Sequence, residues 1–172
     1  MNRFLCFLLC ALLLCPALCG CGKDDGGQPS DTAVQALTPQ DGDTMHLNML
    51  FTLIGTPDIG VTELLGDGTG QKYRADGSLR LRTFEGTACG VDLAFTVYYD
   101  ELGDVSSIDA DFPTSVSIQQ LTETVNELTG RKPSEDGTWM AETAVVSLTE
   151  AEDHVCMKLD PIVIEIEDEP QS

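Results

Sequence analysis

Apolar positions along this chain change period several times, and each change marks an element. Leu47, Leu50, Phe51 and Ile54 recur at helical spacing, which predicts a short helix with one buried face. Thr44 or Asp43 can cap its start and Gly55 can end it. Thr56-Pro57 restarts a helix, with Thr as N-cap and Pro at the first helical position. Val61, Leu64 and Leu65 form its apolar side, and Gly66 stops it. Lys72 to Phe84 then reads as a hairpin around Asp76-Gly77. A three-residue loop, Asp76 to Ser78, sets Tyr73, Ala75, Leu79 and Leu81 on the inner face. The same register puts Lys72, Arg74, Arg80 and Arg82 together as a basic stripe outside. Phe84 falls out of step, which predicts a bulge near Thr83.

The next segment alternates strictly: Val91, Leu93, Phe95, Val97 and Tyr99 against Asp92, Ala94, Thr96 and Tyr98. That is a half-buried strand. A turn over Asp100 to Asp104 leads to a second strand, Val105 to Phe112. Residues 115–129 return to helical period, with Ile118, Leu121, Val125 and Leu128 as the buried stripe. Ser117 and Gln120 fit a capping box, and Gly130 stands where a C-terminal cap belongs. Trp139 to Leu148 reads as one strand, Val155, Met157 and Leu159 as the core side of the next, and Ile162, Ile164 and Ile166 as that of a last. The predicted class is α+β: a short helix pair, an antiparallel sheet, one longer amphipathic helix, and further antiparallel strands.

The N-terminus follows a different rule. One positive residue, Arg3, precedes an apolar run from Phe4 to Leu14, too short to span a bilayer as a stable helix. Leu18-Cys19-Gly20-Cys21 follows. This run resembles the bacterial lipobox, in which an aliphatic residue, a tolerant position and a small residue precede the modified cysteine. The resemblance implies cleavage after Gly20 and diacylglycerol on the Cys21 thiol. Residues 1–20 are then a signal peptide and leave the fold. Residues 21–43 are the lipidated cysteine and a linker rich in glycine and charge. As a flexible coil that linker reaches about 25 Å. One domain is expected over residues 44–167 and an acidic tail over residues 168–172.

Charge narrows the partners. The chain has 9 basic and 29 acidic residues, a formal net charge of −20. Such a surface repels phosphate backbones, which argues against nucleic acid. It repels anionic headgroups too, so membrane attachment falls to the acyl chains on Cys21. The basic residues Lys72, Arg74, Arg80 and Arg82 are therefore conspicuous. They are candidate contacts for an acidic partner or an envelope ligand, unless they pair across the sheet with residues such as Asp92 or Asp109.

Patterns that carry catalysis are few. No Gly-x-Ser-x-Gly, phosphate loop or His-Glu-x-x-His occurs, and nothing requires a cofactor. His46 falls at the start of the first helix, where it faces solvent. His154 and Cys156 share one face of a strand and, with Cys89, could make an open metal or thiol site. Lys158 on that same face opposes a cation. Cys89 and Cys156 are also the two cysteines left for a disulfide, or stand as separate thiols. The acidic residues Asp100, Glu101, Asp104, Asp109 and Asp111 could hold calcium or form a solvated turn. An envelope enzyme or metal-binding protein built on His154/Cys156 or the acidic turn is the alternative reading. The leading expectation is a noncatalytic, membrane-anchored surface protein that binds a protein or envelope ligand.

One internal echo bears on architecture. Val61-Thr62-Glu63-Leu64-Leu65-Gly66 resembles Val125-Asn126-Glu127-Leu128-Thr129-Gly130, and an antiparallel run follows each. This order is similar to the tandem helix-plus-sheet units of the beta-lactamase-inhibitor-protein-like fold. The resemblance implies a binding or scaffolding role and carries no catalytic residue across.

Overall fold

The computed structural model describes residues 34–163. The expected signal peptide, Cys21, the linker before residue 34, most of the final strand and the acidic tail lie outside the described residues. Within them the fold is α+β, with three helices and seven strands. The elements are α1 (Asn48–Phe51), α2 (Asp58–Leu65), β1 (Gly70–Tyr73), β2 (Leu79–Ala88), β3 (Val91–Tyr99), β4 (Val105–Pro113), α3 (Ile118–Thr129), β5 (Thr138–Met140), β6 (Ala144–Glu150) and β7 (His154–Pro161).

All strands join one antiparallel sheet in the order β1-β2-β3-β4-β7-β6-β5. Each half is a meander that follows its own helices, and the last strands of the halves, β4 and β7, pair at the centre. The core lies between the helices and one face of the sheet. Leu50, Phe51, Val61, Leu121 and Val125 meet Phe84, Phe95, Val97, Ile108, Phe112, Val146, Met157 and Leu159 in one cluster. Phe84 and Phe95, paired in register, stack with centroids 5.1 Å apart.

Local chemistry accounts for the best-defined elements. Ser117 accepts from the Gln120 backbone N–H while the Gln120 side chain accepts from Ser117, a complete capping box. Gly130 takes the left-handed conformation that ends α3 (φ 65°). Gly66 ends α2 in a different geometry (φ 78°, ψ −169°), so the two echoed helix ends do not share one cap. The residues following Val61 and Val125 also differ from expectation: Leu64 and Leu128 are exposed, while Val61 and Val125 are fully buried. Pro57, not Thr56, is the N-cap of α2.

Three further expectations change. The β1–β2 hairpin closes one residue earlier than expected, with the Arg74 N–H donating to the Ser78 carbonyl. Its bulge leaves Arg80 as the extra residue between the pairs Tyr73↔Leu79 and Lys72↔Leu81, and no register shift occurs near Thr83. The slip exchanges faces, because side-chain period in a strand is two. Arg82 now points with Phe84 toward the core, and Leu81 is buried opposite Tyr98 on the other side. Second, Trp139 to Leu148 is a hairpin and not one strand, closed by an Ala141 N–H to Ala144 carbonyl bond. Third, the described end of the expected linker is tied to the body. The Leu37 N–H donates to Thr124 Oγ1 at 2.8 Å. The Asp43 carboxylate accepts from the Gln40, Cys89 and Gly90 N–H groups, each at 2.8 Å.

Candidate functional site

The four basic residues of the expected stripe separate into two pairs. Arg82 is a buried structural residue, 7% exposed. Its Nε donates to Asp58 Oδ1 at 3.0 Å and its Nη2 to Asp58 Oδ2 at 2.7 Å, while Nη1 donates to the Asp67 carbonyl at 2.9 Å. This bidentate clamp pins α2 and the following loop to β2. It holds the Asp58 carboxyl below its usual range. The Tyr99 hydroxyl lies against the pair, shielded from solvent and without a hydrogen bond of good geometry. Burial, then the neighbouring Asp58, pushes that phenol up. Arg74 is also occupied, donating to the carbonyls of Leu79 (2.7 Å), Asp100 (3.0 Å) and Tyr99. Lys72 and Arg80 are exposed and make no ion pair among the described residues.

The face of the sheet opposite the helices is the stronger candidate. Strand register assembles it row by row. Thr83, Thr96, Asp109, Lys158, Ser147 and Thr138 form one row across the sheet. Glu85, Ala94, Asp111, Cys156 and Thr149 form the next. A third places Lys72, Leu81, Tyr98 and Ser107 side by side, with Val145 and Met140 toward the far edge. No helix among the described residues covers this face, and a depression of about 500 Å³ at one end is bordered by Thr44, Glu85, Asp92 and Ala94.

This face gathers several of the residues singled out from sequence. His154 sits at its edge, with Nδ1 at 2.6 Å from Asp153 and Nε2 at 3.5 Å from Asp111. Cys156 stands between Asp111 and Thr149. Burial, with Asp111 and then Asp109 beside it, pushes its thiol up to about 12. At neutral pH it is a protonated, weakly nucleophilic group, the opposite of an activated cysteine. Burial pushes the Tyr98 phenol up as well, reinforced by Asp109. Lys158 turns to Asp160 at 2.9 Å. Asp109 Oδ1 is shielded from solvent and makes no hydrogen bond of good geometry, with the Tyr98 hydroxyl beside the carboxylate.

Other expected sites fall apart. Cys89 lies in the β2–β3 turn at φ 57°, partly packed against the core cluster, and both Cys89 and Cys156 are free thiols. Among the described residues no three His, Cys, Asp or Glu side chains converge to hold a metal ion. Within the acidic turn, Asp100 Oδ1 is spent on the turn itself, accepting from the N–H groups of Leu102 (2.8 Å) and Asp104 (3.0 Å). His46 is exposed at a groove of about 370 Å³ shared with Asn48, Cys89 and Leu128. Trp139 is buried, and its Nε1 donates to Asn126 Oδ1 at 2.9 Å, which ties β5 to α3. No helix among the described residues is long and apolar enough to cross a membrane. No protein-family model, no curated protein and no solved structure matches this chain.

Proposed function

We propose that this chain is a noncatalytic lipoprotein of the bacterial cell envelope, held outside the cytoplasm by lipid on Cys21, that binds a protein or envelope ligand. The anchor rests on the apolar N-terminal run and Leu18-Cys19-Gly20-Cys21. The binding role rests on one observation: the open face of a seven-stranded sheet whose helices all pack on the other side. An uncovered sheet face this broad is a natural docking surface. Lys72, paired with Leu81, stands at its β1 margin as a rim contact, Arg80 is the exposed bulge residue of that hairpin, and Arg74 and Arg82 are engaged inside the domain. The thiol chemistry of Cys156 favours binding over catalysis, because a protonated thiol beside carboxylates is a poor nucleophile.

Two measurements in intact cells test the two halves. Cys21→Ser should move the protein from the membrane fraction to the soluble fraction; retention in the membrane refutes the lipid anchor. A photo-cross-linking residue at Thr96, on the open face, should give a discrete adduct. The same residue at Glu63, exposed on α2, should give none. Adducts from Glu63 alone would place the binding surface on the helix layer instead.

A further inference from the structure

The open face has a charge pattern that selects one kind of occupant. Its carboxylates are Glu85, Asp92, Asp109, Asp111 and Asp160, set against Lys72 and Lys158. Lys158, in register with Asp109, forms its ion pair with Asp160, and His154 Nε2 lies 3.5 Å from Asp111, so neither Asp109 nor Asp111 on central strand β4 has a lysine or arginine ion pair among the described residues. The two aspartates are two residues apart on one strand, so their side chains rise from the same face about 6.6 Å apart. Asp109 Oδ1 makes no hydrogen bond of good geometry, although the Tyr98 hydroxyl lies beside its carboxylate. Beside these carboxylates lie Ala94, Thr96 and Tyr98, a surface of apolar and small side chains. The long stem of a basic side chain suits that combination, because it can lie on apolar surface while its head meets an acid.

We propose that the open face docks a protein segment rich in lysine or arginine, whose cationic heads meet Asp109 and Asp111 and whose stems lie along Ala94 and Tyr98. The inference rests on the open face being the binding surface and adds the chemistry of the partner. Glu85 and Asp92, at the rim of the neighbouring depression, extend the acidic track for further basic residues of the same segment. Nucleic acid and anionic lipid are repelled by the same carboxylates.

The test uses the full lipidated chain in neutral detergent and a labelled ten-residue peptide of alternating lysine and threonine, followed by fluorescence anisotropy. Because the whole chain is acidic, generic attraction needs a control of equal charge. Asp109→Asn with Asp111→Asn should weaken binding about tenfold, and Glu63→Gln with Glu127→Gln, on the helices, less than about twofold. Equal weakening by both pairs means diffuse attraction and overturns the proposal. Should the aspartate pair fail to fold, Thr96→Lys serves in its place. It sets an internal cation in register with Asp109 and should block the peptide; unchanged binding overturns the proposal. Loss of peptide binding specificity while Thr96 cross-links persist in cells removes the basic partner but leaves the open face as a binding surface. Loss of both removes both.

Discussion

On the covered face of the sheet, Arg82 gives Asp58 two hydrogen bonds and the Asp67 carbonyl a third. On the open face, two strands away, Asp109 has the Tyr98 hydroxyl and Lys158 as neighbours but no ion pair among the described residues and, at Oδ1, no hydrogen bond of good geometry. Both are charged groups drawn partly out of water. The first is closed within the domain, as a charge must be when helices are packed over it. The second is held loosely, on a face that no helix among the described residues covers. The difference separates what the fold needs from what it offers.

Packing gives the largest test of that separation. Phe112, fully buried on the covered face, should cost about 3–5 kcal/mol when changed to Ala. Tyr98→Ala on the open face removes a comparable ring but should cost about 1 kcal/mol, since only cross-strand contacts are lost. Urea midpoints of the two variants measure the gap. Equal costs would mean that something covers Tyr98 in the isolated protein.

Ion pairs come next. Arg82→Met should destabilise by about 2–4 kcal/mol, below the cost for a fully buried pair because Asp58 keeps part of its side chain in water. Lys158→Met breaks an ion pair of similar length, 2.9 Å, in which both side chains are nearly half exposed, and should cost no more than about 1 kcal/mol. The covered pair also predicts a pH dependence. The Arg82 hydrogen bonds depress the folded Asp58 carboxyl. Its stabilisation is therefore complete above the unfolded value of about 4 and is lost as pH falls through the lower folded one. The gap between wild type and Arg82→Met should narrow as urea titrations move from pH 7 to below about 4. A constant gap would locate the Arg82 contribution in its bond to Asp67 and not in the charge pair.

The same contrast explains what could be read from sequence. Strand β3 was legible because strict alternation leaves one register, and α3 because its capping box and Gly130 are local signals. The β1–β2 hairpin was not. Two apolar residues of opposite parity, Leu81 and Phe84, compete to set its inner face. The tie is broken by Asp58, which comes from a different element to meet Arg82. No local pattern carries that partner, and a one-residue slip then dispersed the predicted basic stripe. The Trp139–Leu148 hairpin was missed because Ala141-Glu142-Thr143 holds no glycine, proline or asparagine to mark a turn. His154, Cys156, Asp109 and Asp111 were each visible, but their common neighbourhood depends on β4 pairing with β7, a contact between the two halves of the chain.

The smallest expected effect is the most discriminating. Asp109→Asn keeps the shape of the side chain and removes its charge. The neighbours of Asp109 inside the domain are the Tyr98 hydroxyl and Lys158, and it forms no ion pair among the described residues, so the urea midpoint at pH 7 should correspond to a change within about 0.5 kcal/mol. Relief of repulsion from Asp111 tips the sign toward a slight gain. The thiol of Cys156 should become somewhat more reactive to alkylation at pH 8, with most of its suppression intact, because burial and Asp111 outrank Asp109 in pushing it up. A loss comparable to Arg82→Met would make Asp109 a structural acid with a partner inside the fold. The two faces would then hold charge in the same way, each carboxylate closed by a partner within the domain.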